Sequence, residues 1–214
     1  ITLSVEEHPH LVALERLLAH QMVDIKIIPN LGTFKTLHTD VDNFEGIPIV
    51  TISQSPMRGW NMVLKRILDF CGSLLALLLF SPIMFMIALI TKWTSPGSVL
   101  YQQERMGLDG LRFQTFKFRT MRVDAEHQSG AVWAKKDDDR VTRFGQFLRK
   151  TSLDELPQLI NVFRGEMSLV GPRPERPVFI EEFKHQIPDY MLRLKVKAGM
   201  TGWAQINGWR GNTS

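Results

Sequence analysis

Residues 70–91, FCGSLLALLLFSPIMFMIALIT, carry no charged side chain over 22 positions. As one straight helix they would extend about 33 Å, enough to cross a bilayer, so a spanning helix is the default reading. Two features argue against it. Ser81-Pro82 falls near the middle, where proline lacks the N–H for a backbone bond and its ring clashes with the preceding turn. Each half is then too short to cross, and the carbonyl of Leu78 needs another donor, for which the Ser81 hydroxyl is suitably placed. The flanks are also positive at both ends, Lys65 and Arg66 before and Lys92 after, and positive residues favour the cytoplasmic side. Trp60 and Trp93 would mark one interface twice. These features predict a helix–break–helix that enters and leaves by one face, with a kinked spanning helix as the alternative. Just ahead of the apolar block, Lys65, Asp69 and Ser73 share a helical face. They read either as a surface ion pair or as a polar stripe beside a lipid phosphate that also anchors the following domain.

The second informative stretch is residues 149–174, RKTSLDELPQLINVFRGEMSLVGPRP. Ser152-Leu-Asp-Glu155 has the spacing of a capping box, with Asp154 in the first helical turn, although Pro157 a little inside the start weakens that register. Leu156, Leu159, Ile160 and Phe163 follow at helical spacing. Spacing alone favours the cap. It does not account for Arg149 and Lys150 before the two carboxylates, or Arg164, Arg173 and Arg176 after them. Nor does it explain why Pro172 and Pro174 stiffen the backbone around Arg173. Carboxylates among cations suit chemistry on a phosphate.

The run DELPQLINVFRGEMSLVGPRP resembles the signature of the bacterial sugar transferases, the monotopic polyprenyl-phosphate phosphoglycosyltransferases. The likeness extends from about Lys65 to Trp209. It implies that Asp154 is the nucleophile, that Glu155 is its acidic partner, and that the pair holds Mg²⁺. It implies transfer of a sugar-1-phosphate from a UDP-sugar to undecaprenyl phosphate, with release of UMP, through a covalent aspartyl intermediate. This would be the first membrane step of exopolysaccharide, capsule or O-antigen synthesis, on the cytoplasmic face of the bacterial inner membrane. The ending INGWRG looks closest to members handling UDP-glucose, with galactose the main competitor. KFRTM, residues 117–121, also matches a family motif. It brings Lys117 and Arg119, with Arg149, in as candidates for binding phosphate, and the Pro172-Arg173-Pro174 turn is implied to lie near the nucleotide. The resemblance implies the same re-entrant geometry; with the polar stripe and the break, Lys65, Asp69, Ser81 and Pro82 are the residues expected at the membrane and the lipid phosphate. A homodimer is among the assemblies it allows.

Composition sets the frame for these readings. The 214 residues are 44% hydrophobic, with a formal charge of +4. Mean hydropathy is −0.07 and pI near 9.3. A basic balance suits nucleic acid, anionic lipid or phosphorylated substrates. Nucleic acid is set aside because no aromatic–basic recognition motif accompanies the apolar block. The single Cys71 excludes an internal disulfide. The six histidines show no metal-ligand spacing.

Residues 1–28 read as strand, helix, strand: 1–5, His10 to Gln21, and 23–28. Another strand follows at 47–52. No G-x-G-x-x-G is present. By resemblance, residues 1–55 form the C-terminal part of a Rossmann-like accessory domain. Residues 56–64 are then a linker, 65–92 the re-entrant helix, and 93–214 a cytoplasmic catalytic domain. The expected fold is therefore α+β, a small mixed catalytic domain with a membrane helix–break–helix. Ile at position 1 and the family's continuation beyond Ser214 point to a piece of a longer chain.

Within the catalytic part, residues 99–121 predict a β-hairpin turning at Asp109-Gly110. Residues 123–134 read as a polar loop. Asp137-Asp-Asp139 could attract a cation but reads better as a solvated run. Residues 143–150 form a basic amphipathic helix with Phe144, Phe147 and Leu148 on one side, suited to a headgroup region. Residues 178–183 read as a helix, and Gly199, Gly202 and Gly208 as backbone turn points. The rival to an enzyme is a catalytically silent, membrane-anchored scaffold of a polysaccharide-assembly complex, which the intact Asp154-Glu155 pair disfavours.

Overall fold

The computed structural model describes residues 26–27, 41–44, 47–51, 57, 59–122, 140–188 and 190–208. Strands β1 (Lys26–Ile27), β2 (Val41–Phe44) and β3 (Ile47–Thr51) form an antiparallel sheet in the order β1-β3-β2. β3 matches the strand expected at 47–52, and β1 lies inside the one expected at 23–28. β2 falls where the sequence offered no pattern. The expected strand at 1–5, the helix at 10–21, the polar loop and the Asp137–Asp139 run lie outside the described residues.

Helix α1 (Trp60–Thr94) runs for 35 residues with Pro82 inside it. The expected break at Ser81-Pro82 therefore does not interrupt the helix. The reason is local: Pro82 brings no N–H to the Leu78 carbonyl, and the Ser81 hydroxyl donates to that oxygen instead at 2.9 Å. The helix is long and apolar enough to cross a membrane, and only 11% of its most apolar window is buried within the protein. Leu75, Leu78, Leu79 and Phe85 are all more than three-fifths exposed.

Both ends of α1 rest on the same folded body. That body begins with β4 (Leu100–Met106) and β5 (Arg112–Phe118), an antiparallel hairpin in register from Leu100↔Phe118 to Met106↔Arg112. The turn places Asp109 at φ 52° and Gly110 at φ 75°, left-handed values that Asp and Gly tolerate. Helix α2 (Arg143–Thr151) follows, its N-cap Thr142 accepting from the Gly145 N–H. Gly145 lies so close to the end of β5 that an added Cβ would sit 2.1 Å from the Thr120 carbonyl oxygen. Its lack of a side chain is what lets α2 pack there. Helix α3 (Gln158–Arg164), β6 (Ser168–Val170), α4 (Pro177–Gln186), β7 (Gly199–Thr201) and α5 (Trp203–Ile206) complete the fold, with β6 and β7 parallel.

Ile87 from α1, Phe118 from β5 and Leu148 from α2 meet in the core, with Met84, Ala88, Val99, Phe144, Leu153 and Leu156 around them. Phe147, expected on the same apolar side as Leu148, is 54% exposed and stacks on Phe144 instead. The other end of α1 is held by polar bonds. Arg66 donates from both terminal nitrogens to the Val162 and Phe163 carbonyls, each at 2.8 Å, which caps the end of α3. Asp69, 3% exposed, accepts from Lys65, from the Ser168 hydroxyl at 3.1 Å and from the Leu169 N–H at 3.0 Å. Of the expected stripe, Lys65 and Asp69 thus anchor α1 to β6, while Ser73, also buried, donates to the Phe70 carbonyl within α1. Asn161 is wholly buried and joins α3 to β5: its Oδ1 accepts from the Phe116 N–H and its Nδ2 donates to the Gln114 carbonyl.

Candidate active site

Asp154 and Glu155 lie on a single 3-10 turn, Leu153–Glu155, between α2 and α3. The capping box expected from spacing does not form. Ser152 ends α2 in the left-handed region, φ 59°, with its N–H donating to the Leu148 and Arg149 carbonyls. In that conformation it makes no side-chain cap, and α3 begins only after Pro157. The two carboxylates therefore sit in a tight corner instead of the first turn of a helix.

The corner has cations on several sides. Lys117, from β5, lies 2.8 Å from Glu155 Oε1, and Arg173 Nη2 reaches the same oxygen at 2.8 Å. Arg173 Nη1 is 3.5 Å from Glu155 Oε2. Arg149 approaches Asp154 from the last turn of α2, its Nε donating to the Thr120 hydroxyl at 2.8 Å. Thr120 is 6% exposed and is the residue here that sequence reading passed over. It lies inside KFRTM, one position from Arg119, but a hydroxyl there gave no charge signal.

The two acids differ electrostatically. Burial alone would raise the Glu155 pKa, but Lys117 and Arg173 pull it from 4.5 down to about 2. Asp154, 9% exposed, moves the other way. Burial raises its pKa; Lys117 and Arg149 oppose the rise, and the Glu155 charge adds to it. Burial lowers the Lys117 pKa against the pull of Glu155. Arg173 is partly exposed; desolvation lowers its pKa, but Glu155 outweighs that and raises it. The result is a Glu155 that is ionised at neutral pH and clamped by cations, beside a more basic carboxylate on Asp154.

Of the other residues singled out, Arg119 is not brought to this corner. Its guanidinium donates to the Ser95 carbonyl at 2.8 Å, just beyond the end of α1. Its sequence position on the Lys117 side of the strand is overridden because β5 ends at Phe118. Pro172 and Pro174 frame Arg173 and act through their carbonyls, which accept from the Gly199 N–H and from Arg105. Lys65 and Asp69 belong to the α1 anchor, and Ser81 and Pro82 to the exposed part of α1. Gly199 and Gly202 serve backbone packing: an added Cβ on either would meet Gly171 backbone at 2.1–2.2 Å.

Among the described residues no group of three or more His, Cys, Asp or Glu side chains gathers. Mg²⁺ needs only one or two carboxylates when substrate phosphates complete its shell. Asp154 and the Oε2 side of Glu155, which keeps only a 3.5 Å contact to Arg173, offer that hard-oxygen donor set.

The sequence model of the bacterial sugar transferases matches residues 60–214. A UDP-glucose:undecaprenyl-phosphate glucose-1-phosphate transferase of Escherichia coli (strain K12) is 48% identical over 92% of this chain and 43% of its own length. A protein of the same name from Xanthomonas campestris pv. campestris is 40% identical over 100% of this chain and 44% of its own length. A UDP-N-acetylgalactosamine-undecaprenyl-phosphate N-acetylgalactosaminephosphotransferase of Aeromonas hydrophila is 39% identical over 88% of this chain and 43% of its own length. The chain thus spans about two fifths of each of these relatives. The apolar helix, the carboxylate corner and the clamped PRP turn all fall within the matched region, and the chain belongs to the bacterial sugar transferase family.

Proposed function

We propose that this chain carries the catalytic part of an enzyme that moves a sugar-1-phosphate from a UDP-sugar to undecaprenyl phosphate and releases UMP. The observation that carries the reading is Asp154: a buried carboxylate of raised basicity, beside three cations, on a body that presents a long exposed apolar helix. Family membership and the relatives' names support the substrates. Two of the three relatives above are named for UDP-glucose, which makes glucose-1-phosphate the first donor group to test.

In the mechanism, a carboxylate oxygen of Asp154 attacks the phosphorus that bears the sugar. The bond from that phosphorus to the UMP oxygen breaks, UMP leaves with the electron pair, and an acyl phosphate remains on Asp154. An oxygen of undecaprenyl phosphate then attacks the same phosphorus. The acyl–phosphate bond breaks at phosphorus, which returns the carboxylate and yields the lipid diphosphate sugar. No net proton is transferred. The obstacle is anion meeting anion. Lys117, Arg149 and Arg173 oppose it by placing three positive charges around Asp154 and Glu155. Asp154 and Glu155 would hold Mg²⁺, which when bound offsets charge on the diphosphate. Arg173, 43% exposed at its side chain, is the cation best placed to swing from Glu155 to an incoming phosphate.

The apolar middle of α1 enters the bilayer and, with the helix bending at Pro82 without losing its continuity, both of its ends stay on the cytoplasmic face, where a soluble nucleotide and a lipid phosphate meet. Trp60 and Trp93, 86% and 84% exposed at the two ends, suit the headgroup region.

The test is a trapping experiment. Full-length protein in nanodiscs is incubated with Mg²⁺ and UDP-glucose labelled in the β-phosphate and sugar, without lipid, beside Asp154→Asn. The expected result is a hexose-phosphate adduct on Asp154 that is absent from the variant and chased by undecaprenyl phosphate. Product formation without any adduct would replace the covalent route by direct transfer. No product from any UDP-sugar would leave the scaffold.

A further inference from the structure

The PRP turn is fixed far more thoroughly than a surface loop requires. Four consecutive carbonyls, from Pro172 to Glu175, each accept a hydrogen bond, and the donors come from three separate segments. Pro172 accepts from the Gly199 N–H at 2.8 Å. Arg173 accepts from Arg193 Nη2 at 2.7 Å. Pro174 accepts from Arg105 Nη1 at 3.1 Å. Glu175 accepts from the Met106 N–H at 3.0 Å. The prolines lack an N–H, so the turn is held almost wholly through its acceptors.

Two of the four donors are arginine side chains, and each is itself immobilised. Arg105 also contacts the Glu175 carboxylate at 3.5 Å and the Gln103 side-chain oxygen. Arg193 lies 4.8 Å over the Tyr190 ring and bonds its hydroxyl. A planar, forked donor suits this use, because one guanidinium binds two partners in fixed directions. From the backbone so fixed, the Arg173 side chain leaves for Glu155.

We propose that Arg105 and Arg193 are positioning residues that hold the Arg173 backbone so that its guanidinium serves the phosphate bound at Asp154. This rests on the reading under Proposed function and adds two residues to it. Each acts through Arg173, one at its own carbonyl and the other at the carbonyl of the next residue.

The experiment is a mutant cycle on full-length protein in nanodiscs with UDP-glucose and undecaprenyl phosphate. Arg193→Lys and Arg105→Lys keep the charge and remove the fork. Each is expected to lower kcat/KM for UDP-glucose by roughly tenfold to a hundredfold, the scale of a small misplacement of a catalytic group. The KM for the lipid and the melting temperature stay unchanged. In an Arg173→Lys background, adding Arg193→Lys costs little more, because the residue it acts through is already altered. Multiplicative losses in the double variant overturn the proposal, as do equal effects on both substrates with a falling melting temperature. Should Arg105→Lys not fold, the Arg193–Arg173 cycle decides alone. Wild-type protein that transfers from no UDP-sugar sinks the functional reading and this inference together; transfer by wild type with multiplicative losses sinks the inference only.

Discussion

Lys117 and Arg173 share one oxygen of Glu155, so deleting that charge leaves two cations facing each other across a buried corner. Glu155→Gln is expected to destabilise the protein by on the order of 2 kcal/mol at neutral pH. The sign of the pH dependence follows from the depressed pKa. The stability Glu155 contributes is present above its ordinary value of 4.5 and is lost as pH falls towards about 2. The melting-temperature gap between wild type and Glu155→Gln should therefore close on acidification through that window; a gap independent of pH would rule out the ion pairs as its source. Asp154 works in the opposite sense. Its raised pKa means that ionisation costs stability, and that cost is present once pH has risen through the folded pKa. Asp154→Asn should thus melt at or above the wild-type temperature at pH 7 while forming no adduct. A variant that melts lower would show that Asp154 holds the fold together. A stability cost at the proposed nucleophile is what a site built for chemistry would carry.

Among the elements, α1 depends on one buried carboxylate where it meets β6. Asp69→Ala removes the acceptor for Lys65, for the Ser168 hydroxyl and for the Leu169 N–H. We expect a loss of about 2–3 kcal/mol, read as a lower melting temperature in detergent, with Asp69→Asn recovering part of it. An Asp69→Ala protein as stable as wild type would mean that apolar packing alone seats the helix. Elements governed by local chemistry were legible in the sequence. Asp109-Gly110 announced its hairpin because few residues accept positive φ, and the apolar run of 70–91 announced α1. The role of Ser152 was not legible, because the same Ser-x-x-Glu spacing serves a helix start or follows a helix end, and the preceding α2 decides which. The direction of Arg119 was likewise invisible: strand alternation placed it with Lys117, but β5 ends between them and the Ser95 carbonyl captures it. The donors around the PRP turn come from β4, β7 and the turn at 190–195, so no local window of sequence contained them.

For the whole molecule, the contacts of α1 bear on how it meets a membrane. Arg66, near its start, binds carbonyls of α3, and the Ser95 carbonyl, just past its end, binds Arg119 beyond β5. α3 and β5 are themselves joined through Asn161 to the Phe116 N–H at 3.1 Å. A helix crossing the bilayer would separate its two ends by about 30 Å of hydrocarbon. One joined body could not then reach both without passing its own buried ions through lipid, at several kcal/mol per charge. We therefore expect both ends to lie on one side, with the exposed turns around Leu75 to Phe85 as the part that enters. Single cysteines at Asn61→Cys and Thr94→Cys, each in a Cys71→Ser background, test this in sealed membrane vesicles with an impermeant maleimide. Both positions should label from the cytoplasmic side and neither from the other. Labelling from opposite sides would make α1 a spanning helix and would require the anchors at Arg66 and Ser95 to be broken in the membrane.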